Sequence, residues 1–477
     1  MSDPVFFSRS ENSFLWEWFA APKRRPLFLK GMHQVGKTSW IRHLASLCEK
    51  PLAVIDFAQN LDWRERFESA DLESICAEIQ GIFPPGVMME SGILLLNNIQ
   101  YCPEALSVQA RLFSRKPDCA IISSGFLPPK VKKDRAFLTL LRYFQGYELG
   151  PLSFSDFLAA TGQLVLAEWI QQWQWGDGVP IGTHLALVEQ LKRFTLVGGH
   201  PLMVAKYIAE GLSPNLMVGH QELLSSALDN AMHDQRRTQL YLAKQVLAQV
   251  QQDIGQKCQY RRISRDHAVK TVQNAIGQLV ASGLLTRVIH SSSDNTKMLP
   301  VLKNEKYFKL FMSDVGMLSA QMGISYRDLE RDNVWLSETH PQLGLQFVAQ
   351  HVFQRQCSGA NSGAGYYWQR ESRNASSTVD FLLPVGESVV PVMLKSGKSG
   401  TLRGMHQWLE DKGGAIGVRI NDDRPSLVED VKKLSTGKTL RYQLATVPWY
   451  LVEALPRLLS TQPSMAGQAN GVVESVV

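Results

Sequence analysis

Gly31-Met32-His33-Gln34-Val35-Gly36-Lys37-Thr38 completes a G-x-x-x-x-G-K-[ST] pattern near the amino terminus. No other stretch constrains the fold as strongly, because this octet works only between a strand and a helix. Its flanks agree. Pro26-Leu27-Phe28-Leu29 reads as a short buried strand, and Trp40, Ile41, Leu44 and Leu47 recur at helical spacing after the octet. Glycines let the backbone wrap closely, so that its N–H groups and the following helix N-terminus face an anion. In such a loop Lys37 reaches the β and γ oxygens of a nucleoside triphosphate, and the Thr38 hydroxyl binds Mg²⁺. The expected contacts to ATP or ADP are therefore Gly31, Gln34, Val35, Gly36, Lys37, Thr38 and Ser39.

The chain has 477 residues, too many for one ordinary core, which predicts about three or four domains. With 44% hydrophobic and 20% charged residues it reads as globular rather than disordered. A net charge of +6 leaves room for a basic patch facing nucleic acid. Cys48, Cys76, Cys102, Cys119, Cys258 and Cys357 form no C-x-x-C pair, which disfavours a zinc site or disulfide scaffold. The first residues carry no signal pattern and no apolar run is long enough to span a bilayer. The expectation is a cytoplasmic protein with no membrane partner.

Along the chain, strands are expected at 27–29, 52–55, 93–96 and 120–123, with a helix near 104–113. This alternation predicts a parallel α/β nucleotide-binding core over 1–150. Residues 151–232 are mostly helical, with Ser153 and Ser155 as candidate caps, and Val197-Gly198-Gly199-His200-Pro201 breaks the region. Such a Gly-Gly-x-Pro corner suits a helical lid, with His200 as a helix-start residue. Residues 233–330 read as a winged helix: an apolar helix face at Val269, Val272, Ile276, Leu279 and Val280, a stop at Gly283, and strands at 284–289 and 298–302 around a polar turn. A last α/β domain at 335–460 offers a helix at 344–353, a loop at 358–365, strands at 379–383 and 389–394, and a helix at 404–412. The polar stretch 461–477 reads as a loose tail.

In order and spacing these pieces resemble a prokaryotic family of AAA-type, STAND-related P-loop ATPases fused to a winged helix and a restriction-endonuclease-like domain of unknown function. The resemblance rests on 31–38, the strand at 93–96, the 151–157 segment, 197–201, Leu310-Phe311-Met312-Ser313-Asp314-Val315-Gly316-Met317-Leu318, Tyr367-Trp368-Gln369-Arg370, Val379-Asp380-Phe381 and Leu394-Lys395-Ser396-Gly397. It implies a sensor at Ser123 or Ser124. It also implies an arginine, Arg142, that touches the γ-phosphate from this or a neighbouring subunit. The departures are informative. Where the family has Asp-Glu after its central strand, this chain has Asn97-Asn98. A neutral amide neither complements Mg²⁺ nor serves as a base near pH 7. Asp56, at the end of the second strand, or a partner subunit could lend the missing carboxylate.

The nuclease-like site that the resemblance implies is depleted in the same way. Asp380 and Lys395 match, but the intervening carboxylate position is Met393 and the helix glutamate position is Gln346. Thioether sulfur is a poor ligand for a hard cation. Glu387 falls in a turn and reads as solvated. Lys257, Arg261, Arg262, Arg265, Lys270 and Arg287 make the winged-helix region locally basic, suited to DNA phosphates or to an ordinary polar face. Tyr366, Tyr367 and Trp368 read as strand residues filling a sheet, with base stacking as the alternative. The expectation is an ATP-binding AAA/STAND-type regulator with weak or absent hydrolysis, whose inactive nuclease-like domain serves for binding DNA or a protein. A slow DNA-stimulated ATPase in defence or mobile-element biology, and a nucleotide-free scaffold, stand as alternatives.

Overall fold

A computed structural model describes residues 6–10, 12–69, 71–87, 92–131, 134–330, 332, 334–353, 364–370, 377–395, 401–434 and 437–460. The expected tail, 461–477, and most of the expected loop at 358–365 lie outside the described residues. The amino-terminal sheet contains β1 (Leu27–Lys30), β2 (Leu52–Asp56), β3 (Ile93–Asn97), β4 (Ala120–Gly125) and β5 (Gln145–Glu148). All neighbours are parallel, in the order β2-β3-β4-β1-β5. Side chains alternate across it with period two. Leu27, Leu29, Ile93, Leu95 and Ile122 enter one core with Trp40 and Ile41 of the helix Lys37–Leu47. Phe28, Ala53, Ile55, Leu94, Leu96 and Ile121 enter the opposite core, under the helices Leu72–Ile82 and Ala105–Arg115. Burial on both faces explains why these strands read as unbroken apolar runs. β5, with sequence Gln-Gly-Tyr-Glu, carries no such run and was not expected.

The next region is helical, as expected. Ser153 caps the helix Phe154–Ala160 through a capping box with Asp156. The helices Leu164–Gln172, Ile181–Val197, Pro201–Glu210 and Pro214–Ala231 follow. The helices Arg237–Asp253 and Val269–Ala281 then lead to a hairpin of β6 (Leu285–Ser291) and β7 (Lys303–Met312). The second strand thus starts beyond the expected 298–302. Pro300 supplies no N–H for a ladder, and the segment instead forms a turn in which Met298, Val301 and Leu302 are exposed.

The hairpin does not end a separate sheet. β6 pairs in parallel with β8 (Ala364–Gln369), and the ladder continues through β9 (Thr378–Val385), β10 (Ser388–Leu394), β11 (Ile416–Asn421), β12 (Ser426–Lys433) and β13 (Thr439–Pro448). The order is β12-β13-β11-β10-β9-β8-β6-β7, one mixed sheet of eight strands. Tyr366, Tyr367 and Trp368 are buried in β8, as sheet filling requires. A single apolar cluster runs from Leu15 to Leu459. Among the described residues, no helix is long and apolar enough to cross a membrane.

Candidate nucleotide site

The loop between β1 and the helix Lys37–Leu47 sits at the carboxyl ends of the parallel strands, where open α/β sheets place their ligands. Three positive φ values shape it: Gly31 at 145°, Gln34 at 58° and Gly36 at 99°. A Cβ on Gly31 would stand 2.4 Å from the Leu149 carbonyl oxygen, so only glycine fits there. No side chain caps the helix, and its leading N–H groups face the loop. The Lys37 ammonium donates to the carbonyls of Gly31 (2.9 Å) and Met32 (2.7 Å). Although part of this side chain remains accessible, packing around its tip pulls the ammonium down to about 7. The arrangement fits a polyphosphate: fixed backbone donors, one flexible cation and a hydroxyl at Thr38.

Arg9 is a loop partner that sequence reasoning missed. Its buried guanidinium donates to the carbonyls of Gly150 (2.7 Å) and Val35 (2.6 Å), bracing the loop from behind. A lone arginine ahead of a helix has no spacing signature that would have revealed it.

Beside Thr38 lies a compact polar network. Asp56 and Asn97 are register partners on β2 and β3. The Asn97 amide donates to Asp56 Oδ2 at 2.8 Å, and that of Asn98 donates to both Asp56 oxygens at 2.9 and 3.1 Å. The Ala58 N–H adds a third group, at 2.8 Å. Because an ionised carboxylate only accepts, Asp56 fixes which way the Asn97 amide faces. Its NH₂ turns to Asp56, and its oxygen turns to Thr38 Oγ1 (3.4 Å) and Ser124 Oγ (2.5 Å). Asn98 itself has a left-handed backbone, φ 60°. An oxygen thus stands where the metal-binding carboxylate is expected, but the formal charge sits one residue behind it.

Several expected positions move. Ser124, not Ser123, faces the site; Ser123 turns back to the Leu27 carbonyl at 3.3 Å, because neighbours on a strand point to opposite faces. Arg142 is exposed and precedes β5, whereas the loop follows the other end of the paired strand β1. Four residues of strand span about 13 Å, which sets Arg142 at the opposite end of β1 from the loop in the same chain. His200 starts the helix Pro201–Glu210, as expected, and also reaches the loop, with Nε2 3.3 Å from the His33 carbonyl oxygen. Burial pushes its imidazole down to about 3, so it is neutral.

In the second sheet, Asp380 is half-buried and accepts the Leu394 N–H at 3.0 Å, beside the β10 end that carries Lys395. Met393 is buried, and its sulfur accepts the Met405 N–H. Gln346 does not join them. It clamps the backbone of Met312, accepting from the N–H at 2.8 Å and donating to the carbonyl at 2.7 Å. The helix Pro341–Phe353 turns that face toward β7, which the helix-glutamate analogy did not anticipate. Among the described residues, no group of three or more His, Cys, Asp or Glu could hold a metal ion. Sequence reasoning also missed Lys309, buried with its ammonium 4.6 Å from the Tyr367 ring centre. Glu387 is solvated and pairs with Lys297, as its turn position suggested. Of the basic set, Arg262 pairs with Asp253, Arg287 stacks on Phe308 and Lys257 lies over Tyr307. Arg261, Arg265 and Lys270 are exposed.

The parallel sheet and its glycine-rich loop form an α/β domain of P-loop type. Residues 23–158 match the family model described as an AAA domain, and residues 188–328 match a domain of unknown function, DUF8612. No curated protein matches the chain in sequence. Among solved structures, AMPPCP-bound DnaA from Aquifex aeolicus is similar at 13% identity and TM-score 0.27, covering 57% of this chain and 88% of that one. Orc1 from Aeropyrum pernix in complex with DNA is similar at 13% identity and TM-score 0.28, covering 68% and 95%. A STAND protein with a tetratricopeptide repeat sensor from Pyrococcus horikoshii gives 12% and 0.28, covering 74% and 48%.

Proposed function

We propose that this chain binds ATP or ADP with Mg²⁺ on the 31–38 loop and uses the nucleotide as a regulatory ligand, with hydrolysis slow or absent. The Thr38–Asn97–Asp56 network carries the reading. Thr38 Oγ1 and Asn97 Oδ1 would offer the metal two neutral oxygens, and Asp56 would supply charge from behind by polarising the amide. Binding is supported by the loop, which holds the phosphate-facing donors. Turnover lacks its base, because Asn98 is an amide engaged with Asp56. The 335–460 region would act as a nuclease-like surface without nuclease chemistry, since Met393 and Gln346 supply no carboxylate. Exposed Arg261, Arg265 and Lys270 would meet DNA phosphates.

The test is a titration with labelled Mg²⁺-ATP alongside phosphate release. Lys37→Ala is expected to abolish binding, and retained affinity defeats the assignment. Combined Asn97→Asp and Asn98→Glu is expected to raise phosphate release by roughly 100-fold, the ordinary worth of a general base. The position of Asp56 inside the network favours a second reading, a slow ATPase that DNA stimulates. Duplex DNA would then raise wild-type phosphate release, and not that of Lys37→Ala.

A further inference from the structure

Asp314 is completely buried. Its carboxylate caps the helix Val315–Gln321 by accepting the N–H groups of Gly316 (2.9 Å) and Met317 (3.3 Å). It also accepts the Gly199 N–H at 2.7 Å and that of His200, from the Gly-Gly-x-Pro corner of another region. The two corners interlock without room for a methyl group. A Cβ on Gly198 would stand 1.8 Å from Asp314 Oδ1, and one on Gly316 would stand 2.6 Å from the Gly198 nitrogen.

Both sides of this joint lead somewhere. On one side, His200 reaches the His33 carbonyl oxygen of the loop, and the Ser313 hydroxyl contacts the Met32 sulfur at 2.9 Å. On the other, the helix Pro341–Phe353 holds the same corner twice: Gln346 grips both backbone groups of Met312, and Gln350 accepts the Val315 N–H at 2.8 Å. Gln346 and Gln350 are one helical turn apart, so a single rigid helix takes both grips. Interlocked, close-packed corners shift as units rather than deforming gradually.

We infer that Asp314 is a positioning residue that couples the phosphate loop to the carboxyl-terminal sheet, through the 198–200 corner and the Gln346–Gln350 helix. The inference rests on the nucleotide reading above. Nucleotide on the loop bears on the His33 carbonyl and through it on His200. Asp314 carries that displacement to residues 312–318, and the two glutamines pass it to the helix that packs under β8 and β9.

Amide hydrogen exchange of the full chain, with and without Mg²⁺-ATP, tests the coupling. In wild type, ATP is expected to slow exchange in 31–38, in 198–201, in 312–318 and along 341–353, by roughly fivefold or more at the distant sites. Asp314→Asn, which puts an NH₂ among N–H donors, is expected to keep the effect at 31–38 and lose it at 312–318 and 341–353. Gln350→Leu, a milder change, is expected to lose it at 341–353 alone and decides the matter if Asp314→Asn fails to fold. ATP protection that reaches 341–353 undiminished in the folded variants overturns the coupling. Protection confined to 31–38 in wild type overturns it while sparing the nucleotide reading. No protection at 31–38 overturns both.

Discussion

At the scale of single residues, Asn97 is held by its neighbours rather than merely substituted. Asp56 orients its amide, and Thr38 and Ser124 use the oxygen that results. Asn97→Asp would set two carboxylates against each other, which raises one pKa and costs stability. The variant is expected to melt below wild type in metal-free buffer and to recover when Mg²⁺ is added; calorimetry at both conditions checks this. Histidine burial gives a second residue-scale outcome. Burial pushes His220 down to about 4, and its Nε2 lies 3.2 Å from the Leu196 carbonyl oxygen. Since that oxygen only accepts, the neutral ring donates through Nε2. A folded pKa below the unfolded 6.5 means that the unfolded chain takes up the proton first. Its contribution is complete above pH 6.5 and is lost progressively as pH falls toward 4. Between pH 7 and 5, wild type is expected to lose about 2 kcal/mol more than His220→Gln, read from chemical unfolding.

At the scale of elements, the 198–200 corner is the most tightly built. A Cβ on Gly199 would stand 1.9 Å from the Leu152 carbonyl oxygen, and the Leu152 N–H donates to the Gly199 carbonyl at 2.7 Å. Gly199→Ala is expected to cost about 3 kcal/mol or more, visible as a lowered melting temperature or loss of folded protein. The sequence made this corner visible as a break before Pro201, yet not its partner, because Asp314 lies over a hundred residues away in the chain. Legibility follows the same rule elsewhere. β1 to β4 were readable because burial on both faces leaves apolar runs, and the helix Val269–Ala281 because its stripe recurs at 3.6. β5 was not readable, being short and polar, and β12 exposes both faces, so it leaves no alternation. The phosphate-type loop is local, so its pattern between a strand and a helix was visible in the sequence. Arg9, Lys309 and the true role of Gln346 are products of tertiary contact, which spacing in one sequence does not encode.

At the scale of the whole molecule, the junction near residues 330–335 joins halves that share one sheet. A fragment ending at residue 334 would strip β8 from β6, exposing a row of unpaired backbone groups. It would also remove the Gln346 and Gln350 grips on 312–315 and the His351 imidazole that accepts the Phe154 N–H at 3.1 Å. That fragment is expected to aggregate at concentrations where the full chain stays dispersed, which light scattering checks. Sharing the sheet has a mechanical side as well. From β7 to β12 there are seven inter-strand steps, or about 34 Å at ordinary spacing. A tilt of about 10° imposed at the hairpin would then sweep the far rim through about 6 Å. On the coupling proposed above, a small shift beside the phosphate loop would be geared up into a larger stroke at the opposite end.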